Sequence, residues 1–358
     1  MLRWVNSHMP RALAAVLVGA LLFAPRLASA QQPSDFFTVR FQAYLEALRR
    51  QAGIPGMSVA MVQDGAIVWE AGLGSQDLEN AVPASPDTPY YVGDLTQTLS
   101  ATLVLQCVEN GTMTLDHQVP VPQADGTTVQ ATLRQLLSHT RPTDGLFEYS
   151  PSRFTALTGV VTACFDDSFR ERLVRGIIDR LAMTRTVPGV EVAAEQPSEF
   201  PDERVVAFAA LVPQIAKAYQ VDESGHATLS AIPTDPLNAS VGLITTVRDL
   251  AKFDAALDQA VLLRPETVIG AWSARVGATG LPQPMGLGWF SQIVDGQPVV
   301  WHFGYTPNAS SALLLKLPNR HITFILLANS DALSAQFSLA SGDITTSPFA
   351  QLILSLLR

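Results

Sequence analysis

The chain has 358 residues, of which 47% are hydrophobic and 15% charged, and its formal net charge is −9. This is the composition of a folded protein with a large apolar core, and it excludes a disordered chain. The acidic balance argues against a basic nucleic-acid-binding face, so no nucleic-acid partner is expected.

Residues 1–30 read as a secretory signal. Arg3 and Arg11 precede the apolar run 12–24, and Ala28-Ser29-Ala30 supplies an A-x-A cleavage site. The run is short for a membrane span of about 20 residues. Cleavage would remove three arginines and no acid, leaving a still more acidic chain with no later span. The expected location is periplasmic or secreted.

Phe37, Phe41, Leu45 and Leu48 recur at helical spacing, and Gly53 follows as a stop. The apolar runs 57–63 and 66–72 flank Asp64-Gly65, a strong hairpin signal. Residues 94–110 read as a helix ended by Gly111. From about 100 to 245 helical patches alternate with proline-rich loops. The clearest helices are 131–137, 154–165, 169–181 and, just beyond, 247–257. The last third returns to strands: 289–294 and 298–303 around Asp295-Gly296, then 310–317 and 321–328 around Pro318-Asn319-Arg320. Ser347 caps a terminal helix with Pro348 at its first position. The predicted fold class is α/β (α+β). One antiparallel sheet flanked by helices is built from 31–99 and 246–358, with a mainly helical subdomain inserted at 100–245.

The two cysteines, Cys107 and Cys164, both lie in apolar, helix-like stretches. An oxidising compartment permits a disulfide, while apolar surroundings equally suit two buried thiols, so both remain open. The histidines form no His-x-His or His-Glu-x-x-His pattern, and no glycine-rich phosphate loop opens a helix. No metal and no cofactor are expected.

Four segments carry a resemblance when taken together. They are Leu136-Leu137-Ser138-His139-Thr140, the stretch 238–253 with Ser240-Val241-Gly242-Leu243, Gly286-Leu287-Gly288-Trp289, and His302-Phe303-Gly304-Tyr305-Thr306. From about Phe37 onward the chain resembles the serine β-lactamase and penicillin-binding-protein superfamily, in its branch of class C β-lactamases, D-Ala-D-Ala peptidases and esterases. The resemblance implies a β-lactamase/transpeptidase-like fold and acyl-transfer chemistry. A serine at a helix start attacks a carbonyl, and a lysine three residues on shares its face and handles the proton. A Tyr-x-Asn loop and a Lys-Thr-Gly or His-x-Gly strand line the cleft, and backbone N–H groups form the oxyanion hole.

The working pair of that chemistry is missing. Tyr90-Tyr91-Val92-Gly93-Asp94-Leu95-Thr96-Gln97 aligns with the family's helix start, placing Asp94 at the serine and Gln97 at the lysine. The chain has only three lysines, Lys217, Lys252 and Lys316; the residues three before them are Gln214, Asp249 and Leu313, so Ser-x-x-Lys occurs nowhere. In Tyr149-Ser150-Pro151 the tyrosine is kept, but Pro151 replaces the asparagine and its amide. Tyr149, His302, Phe303 and Gly304 carry over as candidate ligand contacts, although His302 also reads as a plain polar strand residue. Asp94 is expected to cap the helix, with Gln97 completing a capping box. The alternative is Asp94 as a carboxylate nucleophile or general base, weakened because a helix N-terminus favours the ionised form. Thr96, Thr98 and Ser100 lie nearby without a lysine partner.

Two functions follow. One is an exported pseudoenzyme whose cleft takes a small molecule, peptide, cell-wall fragment or protein partner. The other is a hydrolase of esters, amides or lactams with a rearranged nucleophile.

Overall fold

A computed structural model describes residue 1 and residues 35–123, 125–195, 200–277 and 280–355. The predicted signal segment, 1–30, lies outside the described residues apart from Met1. Residues 32–358 form one unit.

Helix α1 (Asp35–Gln51) buries Phe41 and Leu45 and ends just before Gly53, which takes a left-handed φ of 68°. Strands β1 (Gly56–Gln63) and β2 (Ala66–Asp77) follow, joined by Asp64 at φ 51° and Gly65 at φ 76°. Two consecutive positive φ values are what a tight hairpin turn with the native twist requires, which is why Asp-Gly announced it. The short β3 (Val82–Pro83) and β4 (Tyr90–Tyr91) lead to α2 (Thr96–Glu109). Then come α3 (Leu133–Leu137), α4 (Pro151–Phe154) and α5 (Leu157–Phe165). The predicted single helix 154–165 is therefore two helices. Between them the backbone tightens to bonds three residues apart, Ala156 N–H to Arg153 and Thr158 N–H to Thr155. The predicted helix 169–181 is likewise cut short: its α-helical turn covers Phe169–Leu173 and widens to a π-turn at Val174–Ile178.

Strand β5 (Val187–Pro188) precedes β6 (Leu243–Thr245), which leads into α6 (Val247–Asp258), capped by the Thr246 hydroxyl. The final strands are β7 (Phe290–Val294), β8 (Gln297–Thr306), β9 (Ser310–Leu317) and β10 (Ile322–Ala328). Helix α7 (Pro348–Leu354) closes the fold, with the Ser347 hydroxyl accepting from Ala350 N–H as predicted.

Seven strands form one antiparallel sheet in the order β7-β8-β9-β10-β1-β2-β3. Strand β9 is buried along its whole length because both sheet faces are covered. Alternation sorts its side chains: Ala312 and Leu314 join Ala60, Val62, Ile325 and Leu327 on the side of α2 and α6. Leu313 and Leu315 join Val59, Met61, Phe324 and Leu326 against α1 and α7. A second sheet, β4-β6-β5, sits at the start of α2. No helix among the described residues is long and apolar enough to cross a membrane.

Cys107 and Cys164 form a disulfide that ties α2 to α5 across 57 residues of sequence. Closing a loop of that length in the unfolded chain stabilises the fold by about 4 kcal/mol on the chain-entropy account. The double variant Cys107→Ala, Cys164→Ala is expected to unfold at a clearly lower temperature in calorimetry. An unchanged midpoint would show that the bridge contributes nothing to stability.

Candidate functional site

The second sheet fixes the site. Tyr90 pairs with Thr245 and Tyr91 with Ile244, and Val92 N–H donates to the Leu243 carbonyl at 3.0 Å. Gly93, at φ 52°, then turns the chain into a 3-10 turn, Gly93–Leu95, before α2 begins. Strand β8 presses against this turn. A Cβ on Gly304 would stand 2.0 Å from the Val92 carbonyl oxygen, so only glycine fits there. Gly304 therefore serves a close backbone approach, and its carbonyl accepts from Ser334 Oγ at 3.0 Å.

The expected capping box is absent. The N-cap of α2 is Leu95, with no side-chain bond to the helix, because the 3-10 turn displaces the helix start past Asp94. Asp94 is instead enclosed, only 5% exposed. Gln97 turns its amide across the site: Nε2 donates to Ser240 Oγ at 3.1 Å, and Oε1 meets His139 Nε2 at 2.9 Å. His139 Nδ1 accepts from Ser150 N–H at 2.9 Å, so the ring proton sits on Nε2 and donates to Gln97. Burial holds the His139 imidazole well below its ordinary pKa, which keeps it neutral. Ser150 also caps α4, where Pro151 occupies the first turn; the residue standing in place of asparagine starts a helix.

Tyr149 stacks on His139 with ring centroids 4.5 Å apart and lies 5.2 Å from Phe303 and 6.3 Å from His302. Its ring is partly exposed, and its hydroxyl is buried facing Asp94 and Gln97 without closing a bond of normal geometry to either. His302 is fully buried. Its Nδ1–H donates to the Phe303 carbonyl at 2.8 Å, leaving Nε2 as an unpartnered acceptor. Burial lowers the His302 pKa to about 4. The Asp94 carboxyl is pushed up to about 7 by burial, partly offset by the Tyr149 hydroxyl. The Tyr149 phenol is raised by burial first and by the Asp94 charge second.

The nearby hydroxyls are engaged with backbone. Thr96 donates to Gly93 O at 2.7 Å, Thr98 to Leu95 O at 2.9 Å and Ser100 to Thr96 O at 3.2 Å. The lysines lie elsewhere. Lys316 is buried between Asp254 at 3.0 Å and Asp258 at 2.7 Å, Lys252 meets Asp249 at 2.8 Å, and Lys217 is exposed. The structure thus brings together Asp94, Gln97, Tyr149, His302 and Phe303, while Pro151 and Gly304 serve the backbone. Ser240 joins them without having been singled out. It sat inside a recognised segment, but only the fold reveals that its hydroxyl meets Gln97.

Residues 41–341 match the sequence pattern of the Beta-lactamase family. The mitochondrial serine beta-lactamase-like protein LACTB of Bos taurus is 33% identical over 102 residues, which is 26% of this chain and 18% of that protein. Protein flp of Staphylococcus aureus strain COL is 30% identical over 128 residues, 33% of this chain and 26% of that protein. The matches thus span well under two thirds of these relatives' lengths. Among solved structures, the octameric penicillin-binding protein homologue from Pyrococcus abyssi superposes with a TM-score of 0.71 at 17% identity, covering 89% of this chain and 77% of that one. D-amino acid amidase from Ochrobactrum anthropi SV3, complexed with D-phenylalanine, gives 0.64 at 16% identity, covering 90% and 98%. At these identities the structural likeness establishes the fold alone.

A carboxyl with a raised pKa keeps a proton in the folded state that the unfolded chain has lost. Its contribution to stability is present below the unfolded pKa near 4 and is lost as pH rises through about 7. Asp94→Asn removes that loss. The variant is expected to gain on the parent as pH rises from 4 to 8, by up to about 4 kcal/mol at 1.4 kcal/mol per unit. Urea unfolding across that range checks this, and a constant gap between the two proteins would contradict it.

Proposed function

The chain belongs to the beta-lactamase family, and on that footing we propose that it is an exported member that does not hydrolyse substrate and uses its cleft to hold a ligand. One observation carries the reading: the position that the family resemblance assigns to the nucleophilic serine holds a buried carboxyl, and the lysine position holds a neutral amide locked between His139 and Ser240. Attack by a carboxylate on an acyl group would give a labile anhydride. The adjacent hydroxyls are bonded to backbone carbonyls and have no base. Loss of the nucleophile costs on the order of a millionfold in turnover in an unrelated serine hydrolase.

Export is supported by the signal-like segment 1–30 and by the Cys107–Cys164 disulfide, which suits an oxidising periplasmic or extracellular setting. The ligand is a small molecule, a peptide, a cell-wall fragment or a segment of a protein partner. Exchanging Ser and Lys for Asp and Gln makes the cleft more negative, so β-lactams and D-Ala-D-Ala peptides, which carry carboxylates, bind poorly.

Intact-mass spectrometry after a fluorophosphonate or benzylpenicillin is expected to show no adduct, and calorimetry no tight penicillin binding. A stoichiometric adduct on any Ser or Thr, with Ser240 the first to inspect, would instead establish a hydrolase with a rearranged nucleophile. The double variant Asp94→Ser, Gln97→Lys is expected to gain slow probe labelling at position 94, with Pro151 holding turnover low. No gain would mean that more than the pair has been lost.

A further inference from the structure

We propose that the Cys107–Cys164 bridge is a thiol-exchange site, opened on the folded protein by a small external thiol that joins Cys164, with the Arg172 charge easing the departure of Cys107. The proposal is independent of the ligand-holding reading above, because no residue of the cleft takes part.

The two sulfurs meet solvent differently. Cys107 is 0% exposed and ends the fully buried stretch 96–107 of α2. Cys164 is partly exposed, in the last turn of α5. The chain around it is open: Thr162, Ala163 and Asp166 are exposed, and Asp166 ends the helix at a left-handed φ of 56°. An attacking thiolate must reach one of the two sulfurs, and access selects Cys164.

The step balances with the thiol alone. A thiolate RS⁻ attacks Cys164 Sγ, the R–S–S–Cys164 bond forms and the Cys107–Cys164 bond breaks. The electron pair of the broken bond leaves on Cys107 Sγ, which then takes a proton from water. The reverse attack, by the Cys107 thiolate on Cys164 Sγ, expels RS⁻ and restores the bridge. The costly part is charge on the leaving sulfur, because burial disfavours a thiolate.

Arg172 offsets that cost. It reaches from the helical turn Phe169–Leu173 to both bridged helices: its guanidinium lies 3.6 Å over the Phe165 ring, and Nη2 donates to Gln106 Oε1 at 3.1 Å. Phe165 and Gln106 are the chain neighbours of Cys164 and Cys107. The Arg172 Nε is buried without a partner, and among the described residues this guanidinium joins no ion pair. Asp167, whose charge acts on it, is paired with Arg175 at 3.8 Å, and Arg180 adds a second positive charge. An uncommitted cation beside the bridge favours a thiolate there.

Opening leaves the helices packed. Leu157, Val160 and Val161 of α5 share one apolar cluster with Leu99, Leu103 and Val104 of α2, and none of these contacts needs the bridge. The opened form therefore keeps Cys107 beside Cys164, ready to close again.

The test treats the folded protein with excess reduced glutathione, quenches with acid, alkylates in denaturant and maps the peptides by mass spectrometry. Glutathione is expected on Cys164 and the alkyl label on Cys107, with the Cys164 adduct exceeding any Cys107 adduct roughly tenfold. The circular dichroism spectrum should stay that of the parent, and removing free glutathione should close the bridge. Arg172→Gln should slow opening roughly threefold with the adduct still on Cys164, while Arg172→Lys keeps the parent rate. Glutathione disulfide should label Cys164 in folded Cys107→Ala, and should leave Cys107 of Cys164→Ala unlabelled until denaturant is added. The mapping of the parent needs no variant. An adduct equally or mainly on Cys107, opening only in denaturant, or an Arg172→Gln rate equal to the parent's would each overturn the proposal.

Discussion

The site depends on one close approach, that of β8 to the turn before α2. The Val92 carbonyl occupies the space that a side chain on residue 304 would need, at 2.0 Å from where its Cβ would be. Because Gly304 leaves that space, the Gly93–Leu95 turn lies directly on the strand that carries His302 and Phe303. The Leu243 carbonyl holds the same turn from the other side through Val92 N–H. Pinned between two strands, the turn encloses Asp94 and puts it under Tyr149. The glycine of the His-x-Gly segment is thus explained by backbone packing alone, with no appeal to substrate.

The two exchanged positions have met different fates. Gln97 is engaged at both ends of its amide: Nε2 donates to the Ser240 hydroxyl and Oε1 accepts the His139 ring proton. Its neutral neighbours need no counter-charge, so the loss of a lysine here leaves no electrostatic debt. Asp94 has no such settlement. Its carboxyl is enclosed with one phenol hydroxyl for company, and burial raises its pKa to about 7. A residue retained only to start a helix would sit in water at the N-cap, where the backbone N–H groups favour its charge. Asp94 occupies neither that position nor that environment.

Much of the scaffold was legible because its signals are local. The Asp64-Gly65 and Asp295-Gly296 turns demand positive φ values that those residues tolerate, and Ser347-Pro348 carries its own cap. The alternation along β9 and its neighbours likewise comes from strand geometry. What escaped the sequence is set by contacts distant along the chain. The 3-10 turn that cancels the Asp94 cap is imposed by β6 and β8. The stacking of Tyr149 on His139 joins a loop to the end of α3, and the disulfide joins α2 to α5. Cysteine spacing alone could not decide between a bridge and two thiols, because apolar helices accommodate both. Identity at the motif positions was readable, but the hydrogen bonds of Gln97 and the orphaned lone pair of His302 were not.

The lysines give a last comparison. Lys316 shows that this chain buries a lysine where carboxylates surround it: Asp254 and Asp258 lie within 3.0 Å, and the Trp272 ring faces it at 5.2 Å. Such a cluster is tolerable because opposite charges are buried together. Asp94 is half of the same arrangement, a buried carboxyl near Tyr149 with no basic side chain acting on it. At the Lys316 cluster the chain supplies both signs. At Asp94 it supplies one, beside the Tyr149 hydroxyl, whose proton can serve the carboxyl.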